Sequence, residues 1–178
     1  LILGGAEASL FDVTGAYAGL GRLVTRGREG HALAGTFHPL TWSPDPVARG
    51  RGPAPPLGPG AAWLTLEAML EVERPGEEFA WRAFSSSRRI AWKTGTSYGF
   101  RDAWAVGVTP RHVVGVWVGN ADGEGRPGLT GFSAAAPILF GIFDAVAVSE
   151  TLIVFFDEEG RVEYHAYRRD VAGPGKDD

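Results

Sequence analysis

A run of polar and small residues, Lys93-Thr94-Gly95-Thr96-Ser97, directly follows the apolar tripeptide Ile90-Ala91-Trp92. The apolar residues predict a buried strand, and the β-branched threonines extend that strand from residue 90 to residue 97. Threonines that faced the core would be a poor choice beside a tryptophan. We therefore predict that the polar half of the strand lies at the edge of a cleft.

Each residue type in this run suits the binding of a peptide. Gly95 has no side chain, so a ligand backbone could lie close against the strand. Free backbone groups on a sheet edge bind an extended peptide by strand addition. The hydroxyls of Thr94 and Thr96 could anchor a carboxylate, and Lys93 would add a positive charge or a proton carrier. The alternative is purely structural, because such residues also end strands and a lone lysine protects an edge from pairing.

The composition sets the broad class of the protein. The chain has 178 residues, enough for one domain with a sizeable core. Its net charge is −4 and its 17 basic residues are scattered, so no nucleic-acid partner is expected. The chain has no cysteine, which excludes disulfides and thiolate metal sites. Lys93 and Lys176 are the only lysines, so Lys93 is the only one in the body of the chain.

Hydrophobic spacing predicts an α+β fold, with an antiparallel sheet flanked by helices. Helices are predicted over residues 6–26, 61–73 and 134–146, the last with Ser133 as its N-cap. Strands are predicted over residues 90–97, 103–108 and 112–118, and the short connection makes the last two a hairpin. A Pro/Gly-rich loop is predicted over residues 43–60.

The last thirty or so residues have a different pattern. They predict a strand, a turn at residues 157–160, a second strand and a polar end. We therefore divide the chain into a first part, residues 1–148, and a hairpin-like tail or linker of unknown role, residues 149–178.

Longer stretches of the sequence resemble a known family. AWKTGTSYGFRDAWAVGVTPRHVVGVWVGNADG, followed by LTGFSAAAPILFGIFDAV, resembles the C-terminal half of a penicillin-binding transpeptidase domain, most of all the class A enzymes of the 1C type. The opening LGGAEASLFDVTGAYAGLGR resembles the helix after the second motif of that family. The resemblance covers roughly residues 1–147 and implies part of the fold shared by penicillin-binding proteins and serine β-lactamases.

The resemblance implies a peptidoglycan D,D-transpeptidase, which cross-links stem peptides through a serine acyl-enzyme and binds β-lactams. Lys93 would join the charge and proton network near the serine, and the backbone N–H of Thr96 would form half of the oxyanion hole. The two threonine hydroxyls would hold the terminal carboxylate. The implied substrate-binding residues are Thr94, Gly95, Thr96, Ser97 and Tyr98. Neither a metal nor an organic cofactor is implied.

Two other motifs of the family are absent from the sequence. The Ser-x-x-Lys motif is missing, because Ile90 stands three residues before Lys93 and Gly173 three before Lys176. The Ser-x-Asn motif is missing too, because Val118 stands two residues before the only asparagine, Asn120. We therefore expect the chain to be a fragment whose partner is the missing N-terminal part of the same polypeptide. Alone, it is predicted to be inactive.

Further expectations follow from the resemblance. The parent protein is expected on the periplasmic side of the inner membrane, held there by an anchor absent from this chain, with peptidoglycan stem peptides and β-lactams as ligands. Two alternatives stay open. One is a β-lactamase or D,D-carboxypeptidase of the same fold, since the motif does not separate transfer from hydrolysis. The other is a non-catalytic module that senses or binds β-lactams.

The remaining candidate sites are weaker. Gly123-x-Gly125-x-x-Gly128 matches a dinucleotide-binding fingerprint by its letters, but it follows a hairpin and contains Pro127, so a glycine-rich turn is the better interpretation. The four histidines show no metal-ligand spacing, so no metal site is predicted. Arg101 and Asp102 are predicted to pair across the turn after the polar strand.

Overall fold

The structure, a computed structural model, describes residues 7–40, 53–72, 89–148, 151–156 and 162–167. The chain divides into two compact units, Leu1–Leu139 and Phe140–Asp178. Three predicted features lie outside the described residues: the first part of the predicted loop, at 43–52, the turn at 157–160 and the polar end after residue 167.

Two helices precede the sheet in the first unit. Helix α1, Leu10–Arg28, begins after Ser9, whose hydroxyl accepts a hydrogen bond from the Asp12 N–H at 3.1 Å. This side-chain oxygen satisfies one of the free donors in the first turn and fixes the start of the helix. Helix α2, Pro59–Leu70, begins with a proline, which suits the first helical position because its missing N–H would have no partner there.

Three strands form one antiparallel sheet in the order β1-β2-β3, which confirms the predicted fold class. The strands are β1, Ala91–Thr96, β2, Asp102–Val108, and β3, Val113–Gly119. The predicted hairpin between the last two strands is confirmed, and the Thr109 N–H closes it with a 2.8 Å bond to the His112 carbonyl. Each strand therefore pairs with its neighbour in sequence.

Helix α1 covers one face of the sheet. A side chain at Gly115 of β3 would collide with the Thr14 hydroxyl, so glycine lets the helix approach the strand closely. On the same side, a small core joins the helices to the sheet through Met69, Ala91 and Val108. This core holds the first residue of β1 and the last residue of β2 together.

A wide helical turn, Gly131–Ala135, packs on the opposite face and leads into α3, Ala136–Val148. Its N-cap is Thr130, so the prediction of Ser133 as the cap is wrong. The Thr130 hydroxyl accepts from the Ser133 N–H at 3.1 Å, and the Ser133 hydroxyl accepts from the Thr130 N–H at 3.3 Å. Ser133 is therefore the third residue of a capping box and not its first.

The second unit contains a two-stranded antiparallel sheet of β4, Thr151–Phe156, and β5, Val162–Tyr167. Both strands lie where the sequence predicts them. The boundary at residue 148 and the role of the tail stay predictions. Among the described helices of the chain, none combines the length and apolarity that crossing a membrane requires.

Candidate functional site

Strand β1 has an open edge. In the part of the chain that the structure describes, its one paired neighbour is β2. The Ser97 N–H donates to the Asp102 carbonyl at 3.0 Å, which makes these two residues a hydrogen-bonded pair. Because such pairs alternate along an antiparallel ladder, the backbone groups of Thr96 and Thr94 point away from β2. The Thr96 N–H is therefore directed to the open edge.

The Lys93 ammonium lies at this edge. The side chain is exposed, and its Nζ donates a 2.7 Å hydrogen bond to the Thr94 carbonyl. That carbonyl is one of the groups directed away from β2. The Lys93 ammonium, the Thr94 carbonyl that accepts from it and the Thr96 N–H thus all lie along the open edge of β1.

The Thr96 hydroxyl is hydrogen-bonded to the turn that precedes α3. Its Oγ1 accepts a 3.0 Å hydrogen bond from the N–H of Gly131, which begins the turn before α3. Since a hydroxyl has one proton and two lone pairs, this bond occupies a lone pair and leaves the O–H proton available to an acceptor. Thr94 is half-buried beside the same Gly131 backbone.

The two glycines near this edge, Gly131 and Gly95, differ in whether the packing around them requires a glycine. A side chain on Gly131 would collide with the carbonyl oxygens of Gly95 and Trp104, so the close approach of the turn to the sheet requires glycine. A side chain on Gly95 would lie 3.5 Å from the Trp104 Cβ, which is an ordinary contact. The packing of the described chain therefore does not require a glycine at residue 95.

Ser97 and Tyr98, the two residues after β1, form part of the hairpin turn between β1 and β2. The Ser97 hydroxyl accepts a 2.8 Å bond from the Asp102 N–H, and the Ser97 carbonyl accepts from the Phe100 N–H at 3.2 Å. Tyr98 is 98% exposed, so it extends from the tip of the hairpin rather than covering the strand. Ser97 is thus engaged by its own chain, whereas Tyr98 is accessible.

Asp102 contributes to the hairpin in a way that the sequence did not suggest. The expected ion pair with Arg101 is absent from the described part of the structure. Instead, the Asp102 carboxylate accepts a 2.9 Å hydrogen bond from the indole N–H of Trp117 on β3. This bond ties the start of β2 to the far strand, and so it braces the turn that follows β1.

The structure brings together Lys93, Thr94, Gly95 and Thr96 on one strand and adds Gly131, which the sequence analysis missed. No local pattern marks Gly131, because its bond to Thr96 joins residues 35 positions apart. Within the described residues, no group of His, Cys, Asp and Glu is placed to hold a metal ion. A cavity of about 530 Å³ in the first unit lies elsewhere, beside α1 and the β2–β3 turn.

The known proteins with similar sequences that follow are all penicillin-binding proteins. Penicillin-binding protein 1C of Escherichia coli (strain K12) is 40% identical over 139 residues, which is 78% of this chain and 16% of that protein. Penicillin-binding protein 1B of Vibrio cholerae serotype O1 (strain ATCC 39315 / El Tor Inaba N16961) is 43% identical over 75 residues, 42% of this chain and 10% of that protein. Penicillin-binding protein 1A of Aquifex aeolicus (strain VF5) is 54% identical over 43 residues, 24% of this chain and 6% of that protein.

The chain spans less than a fifth of the length of each of these relatives. Neither a family model nor a solved structure matches it. The α+β architecture agrees with part of the transpeptidase fold of penicillin-binding proteins. Because the similarity to penicillin-binding protein 1C extends over most of the chain, the chain belongs to the class A penicillin-binding protein family.

Proposed function

We propose that this chain supplies the Lys-Thr-Gly wall of a D,D-transpeptidase site that cross-links peptidoglycan stem peptides and binds β-lactams. One observation carries the proposal: the Thr96 N–H points to the open edge of β1, and the Lys93 ammonium is bonded to the Thr94 carbonyl on that same edge. The serine nucleophile would come from another part of the same polypeptide, since this sequence contains no Ser-x-x-Lys motif.

Substrate binding would use the edge as a template. The C-terminal end of a stem peptide would add to β1 as an extended strand, pairing with the backbone groups of Thr94 and Thr96 that point away from β2. Its terminal carboxylate would accept hydrogen bonds from the threonine hydroxyls. The Gly131 N–H supports this role, because it occupies a lone pair of the Thr96 Oγ1 and leaves the proton for the ligand. Lys93 would add a favourable charge.

The chemistry would proceed in two acyl transfers. The serine Oγ attacks the carbonyl carbon between the two D-alanines, and the developing oxyanion accepts hydrogen bonds from the Thr96 N–H and the serine's own N–H. The C–N bond then breaks and D-alanine leaves with a proton. An amine of a second stem peptide then attacks the ester carbonyl, the C–O bond to the serine breaks, the serine Oγ takes up the amine's proton, and the new amide is the cross-link. One such donor typically stabilises the transition state by about 3–4 kcal/mol.

The test is covalent labelling by a fluorescent penicillin, read on a denaturing gel. The 178-residue chain alone is expected to retain no label, because it lacks the nucleophile. A longer polypeptide that joins this chain to a segment with Ser-x-x-Lys is expected to retain label. In that polypeptide Lys93→Ala should remove most of the labelling, whereas Arg28→Ala, at the exposed end of α1, should not. Near-normal labelling of Lys93→Ala would contradict the proposed role of the ammonium.

Product analysis separates transfer from hydrolysis. With peptidoglycan precursors the longer polypeptide is expected to give cross-linked dimers, which requires an amine as the acceptor. Free tetrapeptide as the main product would instead assign a D,D-carboxypeptidase. The same proposal places the parent protein on the periplasmic side of the inner membrane. Recovery of the parent in the soluble cytoplasmic fraction of cells would contradict that location.

A further inference from the structure

The cavity in the first unit lies between α1, the residues that follow this helix and the turn joining β2 to β3. Its volume is about 530 Å³, within the range of small-molecule sites, which is roughly 300–1,000 Å³. None of the residues of the open β1 edge lines it. Any ligand of this cavity would therefore be distinct from a peptide bound along β1.

The charged side chains that line the cavity are mostly basic, although the whole chain has a net charge of −4. It includes three arginines and two histidines but a single carboxylate, Glu29. Glu29 already contacts the His31 ring, with 3.0 Å between its carboxylate oxygen and Nδ1. Within the described residues no arginine of the lining makes an ion pair. The arginines are Arg22, Arg26 and Arg111.

Two of these arginines are held by backbone carbonyls, which fix their positions without neutralising their charge. The Arg22 Nε donates to the Thr36 carbonyl at 2.7 Å. The Arg26 Nη1 donates to the Ala32 and Ala34 carbonyls, both at 3.3 Å. The guanidinium groups are therefore positioned before any ligand arrives, which reduces the entropy lost on binding.

Arg22 keeps unused donor capacity. Its Nη2 is buried and has no hydrogen-bond partner among the described residues. Burial and then the positive charge of Arg26 lower the pKa of Arg22. The residues stand four positions apart on α1, a spacing at which like charges destabilise a helix. A bound anion would relieve this repulsion.

We propose that this cavity is a binding site for a small anionic ligand that presents phosphate or carboxylate oxygens to Arg22, Arg26 and Arg111. Guanidinium groups suit both kinds of oxyanion, because their planar donors match two oxygens at once. The proposal is independent of the transpeptidase assignment. A purely structural role for the arginines, in which they only hold residues 32–36 against α1, is the competing explanation.

The test measures anion binding by the 178-residue chain with isothermal titration calorimetry. Pyrophosphate and succinate are titrated separately, with sodium chloride added to keep the ionic strength constant. Arg111→Gln removes a cation from the turn, and within the described residues it removes no side-chain hydrogen bond, so this variant should fold. Arg28→Gln is the matched control, because it removes one positive charge from the exposed end of α1 outside the cavity.

At least one of the two anions is expected to bind with one-to-one stoichiometry. Arg111→Gln should weaken that binding at least tenfold, and Arg28→Gln less than twofold. Tighter binding of pyrophosphate would assign a phosphate ligand, and tighter binding of succinate a carboxylate ligand. Absence of binding by both anions, or equal weakening by the two substitutions, would overturn the proposal.

Discussion

The two halves of β1 have the same backbone conformation but opposite environments. Ala91 and Trp92 are buried, and the Trp92 indole N–H donates a 3.0 Å hydrogen bond to the Val72 carbonyl after α2. Lys93, Gly95 and Thr96 are exposed, and their strand has an open edge in the described part of the chain. The first half is thus enclosed by its own chain, whereas the second half is exposed and is held by β2 and by the Gly131 N–H.

This difference shows how a sheet edge can stay unpaired without losing rigidity. A strand edge that binds a ligand must stay in position while one side of it is unoccupied. In β1 the buried half fixes the strand along its length, and the Gly131 N–H fixes the Thr96 side chain across the sheet. The comparison therefore predicts larger stability effects in the first half than in the second.

Trp92→Ala is expected to have the largest effect. The side chain is 1% exposed, and its removal would leave a cavity in the core of the first unit. Such truncations typically lower the free energy of unfolding by about 3–5 kcal/mol. Chemical denaturation measures the change. Trp92→Phe, which keeps an aromatic ring but loses the bond to Val72, should lose much less. Equal losses in the two variants would show that the hydrogen bond and not packing holds this half.

Gly131→Ala is expected to rank next. Its new methyl group would collide with the carbonyl oxygens of Gly95 and Trp104, so the turn before α3 must move away from the sheet. Overpacking of this kind typically lowers stability by about 1–3 kcal/mol. Gly141→Ala is the control, since a methyl there meets nothing within 4 Å, and it should raise stability by about 1 kcal/mol. Thermal unfolding of both variants tests the contrast. If Gly131→Ala were as stable as the unmodified protein, the close contact between the turn and the sheet would be contradicted.

Thr96→Val should have an intermediate effect. Valine keeps the shape of threonine but cannot accept the hydrogen bond from the buried Gly131 residue. A donor left without a partner typically lowers stability by about 1–3 kcal/mol, and exposure of residue 96 favours the lower end. Thr96→Ser retains the hydroxyl and should lose less in the same denaturation experiment. If the serine variant were the less stable one, the methyl group and not the hydroxyl would hold the strand.

Gly95→Ala should have the smallest effect on stability. The new Cβ would make an ordinary contact with Trp104, and alanine restricts the unfolded chain, so stability should be unchanged or rise by about 0.4–1 kcal/mol. In a polypeptide that includes the serine motif, the same methyl should slow penicillin labelling, because it projects beside the open edge. Unfolding and labelling measured together sharpen the comparison. A marked loss of stability would show that residue 95, like the buried half of β1, is tightly packed, and would contradict this prediction.

The sequence predicted the elements well where their signals are local. Apolar spacing located α1 and α2, and the Val- and Trp-rich runs located β2 and β3. The start of the last helix was placed three residues too late, because both Thr130 and Ser133 are good capping residues. Only the reciprocal hydrogen bonds of the capping box identify the first of them as the cap.

The surroundings of the site were harder to predict, because they depend on contacts between distant residues. The polar strand and its edge position follow from the residue types of β1. The bond from Gly131 to Thr96, the bond from Trp117 to Asp102 and the shared cavity of Arg22 and Arg111 join separate elements. The hydrophobic periodicity of a single sequence does not indicate which distant residues contact each other. Their positions become visible only after the chain has folded.

The order of the three strands has a consequence for how the protein folds. Since β1 pairs with β2 and β2 with β3, each pairing joins strands that are consecutive in the sequence, so the loops that must close are short and little chain entropy opposes them. Hairpins of this kind form in about 1–10 μs, well before a whole domain is assembled. Partly folded molecules in which this sheet has already formed thus expose its unpaired edge to one another. The solitary ammonium of Lys93 discourages self-association at that stage, since two copies would have to bring like charges together.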